Sequence, residues 1–110
     1  MKKAETLAAL QAAVFVSARR LSVYDELISE LESSQAANLE RASSAVTRLP
    51  SVAGRWIGEM EEIASTFESV GISGGFHQGA AEIFRLVDAS DTESAKSLDD
   101  LVKAFAAAAT

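Results

Sequence analysis

Val52, Trp56, Met60, Ile63, Phe67 and Val70 recur at spacings of four, four, three, four and three residues. That period lays all six along one stripe of an α-helix. The other side of the stretch carries Glu61, Glu62, Ser65, Glu68 and Ser69, a wet face. Gly71 follows where helices commonly end, because glycine enters the left-handed conformation without a steric penalty. Ser73, Gly74 and Gly75 complete a short turn. Beyond it Phe76, Ala80, Ile83 and Val87 repeat the helical spacing, with Phe84 widening the stripe. Residues 51–87 are therefore expected to form a helical hairpin with an apolar seam. Pro50 stands just ahead of its first helix, where proline is tolerated, and Ser51 is placed to cap it.

The rest of the chain extends the same pattern. A first helix is expected from about Ala4 to Leu21, with Leu7, Leu10, Val14, Ala18 and Leu21 as its inward stripe and Phe15 flanking it. Alanines at 8, 9, 12 and 13 raise intrinsic helicity and let another helix approach closely, so this helix is expected to be covered on more than one side. Ser22, with Asp25 three residues on, is the expected N-cap of a short helix to about Glu32 that turns Tyr24, Leu27, Ile28 and Leu31 inward. Residues 35–49 read as a separate helix carrying Ala37, Leu39, Ala42, Ala45, Val46 and Leu49, stopped by Pro50. A capping box at Ser90 and Glu93 is expected to open a last helix to about Ala108, with Leu98, Leu101, Val102 and Phe105 on one face. No segment alternates as a strand does. The expected fold is an all-α bundle of five to six helices in a single domain over residues 1–110.

Ten Lys and Arg against sixteen Asp and Glu give a net charge of −6. Nucleic acid is not an expected partner, since phosphates need a basic face. No cysteine is present, which excludes disulfides and thiolate chemistry and leaves a reducing cytoplasm as the default location. Lys2 and Lys3 begin like a signal peptide, but Glu5 and Gln11 interrupt the apolar run and Arg19 and Arg20 arrive without a convincing cleavage site, so a mature helix is expected there. No apolar run approaches the roughly 20 residues that span a bilayer, and no membrane partner is expected.

The glycines at 71, 74, 75 and 79 lie between two helices, whereas a nucleotide loop needs closely spaced glycines between a strand and a helix. They read as a turn, and no cofactor-binding residue is assigned. His77 is the only histidine. In the first turn of its helix it meets the positive end of the dipole, which favours the neutral imidazole and suits it to proton transfer or hydrogen bonding. Histidines without a neighbouring carboxylate are more often structural. Glu59, Glu61, Glu62 and Glu82 lack the Glu-x-x-His spacing of bundle metal sites, so no metal is expected, and Arg55 and Glu59 one turn apart make at most a weak ion pair. Trp56 and Met60 occupy stripe positions, which is usual for core or interface residues, and are also candidates to line a substrate pocket. Arg55 beside them is the candidate for an anionic substrate group.

The run from Arg55 through Trp56, Met60, Glu61, Glu62 and Ile63 to Phe67, then Gly71, then Phe76, His77, Gln78, Gly79, Ala80, Ala81, Glu82, Ile83 and Phe84, resembles the C-terminal helical domain of 6-phosphogluconate and β-hydroxyacid dehydrogenase-like oxidoreductases. A looser likeness extends from Ala8 to Leu31. The resemblance implies a domain that supplies one wall of a substrate cleft and most of a dimer contact, with NAD(P) held by a nucleotide-binding domain this chain does not contain. Such enzymes use a lysine near the start of a long helix as acid/base, with an asparagine one turn later. Lys3 is the nearest counterpart, but Thr6 and Leu7 stand where the asparagine would be, so Lys3 and His77 are the only catalytic candidates and the chain alone is not expected to catalyse. About six helices in so short a chain leave more apolar stripe than one bundle covers, which predicts a homodimer. The alternative is a non-enzymatic binding or scaffold protein that keeps the helical fold.

Overall fold

The computed structural model describes residues 3–109, with side chains from Ala4 onward. Five helices appear in these residues: α1 (Lys3–Arg20), α2 (Tyr24–Ser34), α3 (Ala36–Ser69), α4 (Gly75–Ala89) and α5 (Leu98–Ala108). No strand is present among them. The α3–α4 pair makes the largest contact, α1 lies against α3, α4 and α5, and one buried cluster draws on all five helices.

The turn of the hairpin forms as its sequence predicts, but Val70, expected on the apolar stripe, lies past the last helical residue and is 73% exposed. Val70 caps α3 and Gly71 takes φ +81°. The Ile72 amide donates to the Phe67 carbonyl at 3.0 Å and the Gly71 amide to the Glu68 carbonyl at 3.1 Å, the two bonds of a Schellman motif. Gly74 then passes so close to α3 that a Cβ there would stand 2.9 Å from the Ala64 carbonyl oxygen. Only glycine lets the turn fold α4 back this tightly.

The first helix ends in the same motif without a glycine. Ser22 adopts φ 62°, while the Val23 amide bonds the Ala18 carbonyl at 2.9 Å and the Ser22 amide the Arg19 carbonyl at 3.1 Å. Ser22 thus closes α1 and is not the N-cap of α2, which begins behind Val23. Tyr24 is buried edge-on against Phe15, with ring centroids 6.3 Å apart. Burial, reinforced by the Asp99 carboxylate, pushes its phenol up to about 12 and keeps it protonated. Arg20 reaches across to α5 and donates to the Ala106 and Ala109 carbonyls at 3.1 and 2.9 Å. These are among the acceptors a helix C-terminus leaves unpaired.

Three expectations are corrected. Most of the expected stripe of α1 faces outward: Leu7, Leu10 and Val14 are 51, 61 and 45% exposed, and Leu21, just beyond the helix, is 72% exposed. Its buried face is Ala8, Ala9, Ala12, Phe15, Val16 and Ala18, because small side chains let α1 sit closer to the hairpin than leucines would allow. Phe76 likewise points out of the seam, 80% exposed, and the inward stripe of α4 runs through His77, Ala80, Ala81, Phe84 and Val87. The last helix opens at Ser97, whose Oγ accepts from the Asp100 amide at 3.1 Å, while the Asp100 carboxylate accepts from the Lys96 amide at 3.0 Å. The Ser90 hydroxyl instead bonds the Val87 carbonyl at the end of α4.

The largest correction concerns Pro50, which lies inside α3 instead of separating two helices. Ser51 is mid-helix, donating to the Arg48 carbonyl at 2.9 Å. Proline removes one backbone bond and crowds the preceding turn, at a cost of about 3 kcal/mol. What offsets it is an unbroken stripe: Ala42, Val46, Leu49, Ala53, Trp56, Met60 and Ala64 are all buried and stay in helical phase across the proline. A straight helix of 34 residues would measure about 50 Å, yet the longest extent of the molecule is 41 Å. So α3 runs oblique to the long axis or bends, and Pro50 is the residue with cause to bend it. Pro50→Ala is expected to raise stability in urea unfolding by about 1–3 kcal/mol. A neutral or destabilising result would mean that the proline starts a helix.

Candidate functional site

Four sequence candidates lie on the hairpin, and the structure separates them. Trp56 is 8% exposed and Met60 fully buried. The indole meets the Phe84 ring edge-on, centroids 5.6 Å apart and planes at 64°, and the Arg48 guanidinium stands 5.9 Å from its centroid. Met60 Sδ accepts from the Thr6 hydroxyl at 3.6 Å, joining α1 to α3. Both side chains hold the core. Arg55 is exposed one residue before Trp56. Glu59, one turn on, has a carboxylate oxygen sealed from solvent without a hydrogen-bond partner among the described residues. Lys2 lies outside the described residues, and Lys3 opens α1 with its side chain outside them.

His77 borders an open groove. It sits in the first turn of α4, 5% exposed, its ring edge-on to Phe67 with centroids 4.7 Å apart. Its Nδ1 is sealed and has no hydrogen-bond partner among the described residues. Beside it runs an apolar groove of about 760 Å³. From α1 come Thr6, Leu7, Leu10 and Ala13, and from α4 come Phe76, Gly79 and Ile83 as well as His77. Glu82 supplies a carboxylate. A second, shallower apolar depression of about 370 Å³ lies where the C-terminal half of α1 meets α2, between Val14, Leu21, Val23 and Leu27. Among the described residues no group of three His, Asp or Glu side chains is placed to hold a metal ion, and no helix is long and apolar enough to cross a membrane.

The groove was not legible as a site. Leu7, Leu10, Phe76 and Ile83 all read as core residues by their spacing, and the one signal against this was the competing alanine face of α1.

A family model described as a domain of unknown function, DUF1932, matches residues 18–87. The chain belongs to this family. DUF1932 is a domain found at the C-terminus of 6-phosphogluconate and β-hydroxyacid dehydrogenase-like proteins, which agrees with the resemblance drawn from Arg55 to Phe84. The matched span takes in α2, α3 and most of α4. Most of α1, and with it one wall of the groove, lies outside the match. No curated protein and no solved structure matches the chain.

The two classes of candidate are separable by stability. Met60→Ala in this DUF1932 domain is expected to cost about 2–5 kcal/mol, whereas Arg55→Ala should change stability by no more than about 0.5 kcal/mol. Urea unfolding of the two variants checks this, and a Met60→Ala protein as stable as the parent would remove Met60 from the core.

Proposed function

We propose that this chain is the helical half of a dehydrogenase-like oxidoreductase, pairing with a second copy of itself and offering one wall to the substrate, while a separate domain holds the dinucleotide. The observation that carries the pairing is the apolar patch at the C-terminal end of α1. Val14, in the second half of the helix, and Leu21 and Val23, just beyond its end at Arg20, remain in water, and covering apolar surface yields about 25 cal/mol per Å². Scattered exposed aliphatics need no explanation, but a contiguous patch of them does. The proposed contact is the shallow depression that these three residues frame beside Leu27.

On the substrate side, Arg55 is the group proposed to meet an anionic moiety, since its guanidinium offers a planar fork of donors. Trp56 and Met60 would act by holding its helix in place. His77 is the proposed hydrogen-bonding or proton-transfer residue. The scaffold alternative shares the pairing and lacks the substrate, and the Thr6 and Leu7 side chains, neither an asparagine, favour it on the side of chemistry.

Sedimentation velocity at micromolar concentration is expected to show a dimer. Leu21→Glu should weaken association at least about tenfold with helical content unchanged. Titration of the isolated chain with NADH and NADPH is expected to show no binding. A monomeric parent protein would contradict the pairing, and dinucleotide binding by the chain alone would contradict the division of labour.

A further inference from the structure

The groove between α4 and the N-terminal half of α1 has three features that a bare apolar face lacks. The first is His77, which lines it, is 5% exposed and has an Nδ1 without a hydrogen-bond partner among the described residues. Buried N–H groups without an acceptor are rarer and costlier than an unpaired lone pair. In the neutral ring the proton is therefore assigned to Nε2, which is not among the sealed atoms and so stands open to an incoming acceptor.

The second feature is Gly79. It sits within α4, where a glycine costs about 1 kcal/mol relative to alanine, and a Cβ there would meet nothing within 4 Å. Neither a left-handed backbone nor a close neighbour calls for glycine. Its effect is to leave the groove open. The third is the size of the space: about 760 Å³ falls inside the roughly 300–1,000 Å³ of small-molecule sites, which are apolar with a few polar groups.

We propose that this groove binds an uncharged aromatic molecule carrying a carbonyl or hydroxyl oxygen, with that oxygen accepting a hydrogen bond from His77 Nε2. Phe76, 80% exposed at the edge of the groove, offers a ring for an aromatic body to pack against. The Glu82 carboxylate and the chain's net charge of −6 act against an anion. The proposal shares His77 with the substrate reading above but not Arg55, which does not line the groove, and it is separate from self-association, which is proposed at Val14, Leu21 and Val23.

The chain has a single histidine, so its imidazole signals in NMR are unambiguous. Methyl naphthyl ketone titrated into the isotope-labelled full chain is expected to move them saturably. It should bind about fivefold tighter than ethylnaphthalene, which has the same carbon skeleton without the oxygen. His77→Phe should make the two bind equally, and Gly79→Leu, which fills the groove while favouring the helix, should abolish binding of both. Circular dichroism and the unfolding midpoint verify that both variants are folded. A ketone that produces no saturable shift, equal affinity for the two compounds in the parent protein, or binding that survives Gly79→Leu would each overturn the proposal. So would binding seen only in Leu21→Glu, because a second copy would then be covering the groove. Sedimentation reads the dimer separately, so a monomeric protein that binds the ketone would sink the pairing and leave this site standing.

Discussion

The structure depends on the seam where α3 and α4 lie against each other, and within it on the edge-on meeting of Trp56 and Phe84. Phe84 and Met60 are fully buried, so the two helices interlock side chains that have no other place to go. Aromatic pairs in this geometry contribute about 0.5–1.5 kcal/mol beyond the area they bury. The turn makes the seam possible. Gly71 ends α3 in a left-handed conformation, and the missing side chain of Gly74 lets α4 return against Ala64 and Glu68. An exposed Arg85–Glu61 ion pair and a Gln78–Glu68 hydrogen bond border the hairpin outside, where each adds little.

From that hairpin the packing of α1 follows. A helix laid across two others at close range needs small side chains at the contact, and α1 provides them at Ala8, Ala9 and Ala12, with Phe15 filling the wider space near Tyr24. The leucines are displaced to the far side. This one choice of face produces both surfaces with functional interest, the groove beside His77 and the depression beside Leu27. Arg20 fastens the other end by capping α5, which closes the bundle over α1.

The hairpin was legible because its signals agree: helical spacing, a glycine at the required backbone conformation and a glycine-rich turn all point one way. The all-α class was legible for the same reason. Pro50 misled because a proline is a strong local signal and the compensating signal is spread over many residues; only the phase of Val46, Leu49, Ala53 and Trp56 across it shows one continuous helix. In α1, leucine outranks alanine on any hydropathy scale, so spacing favoured Leu7, Leu10, Val14 and Leu21, while close approach, which decides the matter, is a property of the helices it meets. Ser90 uses its hydroxyl at a helix C-terminus instead of an N-terminus, and Ser22 closes α1 through its backbone alone. Of the site residues, Trp56 and Met60 lie where the more common reading of stripe positions puts them. His77 was visible as a lone histidine, but its neighbours in the groove come from a helix some 70 residues away in sequence, beyond any local pattern.

The central claim is that α1 packs through its alanines and leaves its leucines in water. Because the chain has no cysteine, a single introduced thiol reports its own surroundings. Reactivity toward a water-soluble thiol reagent, compared between Ala12→Cys and Leu10→Cys under native conditions, is the most direct test. The account predicts rapid labelling at position 10 and strong protection at position 12. Protection at 10 with rapid labelling at 12 would turn α1 over and contradict it.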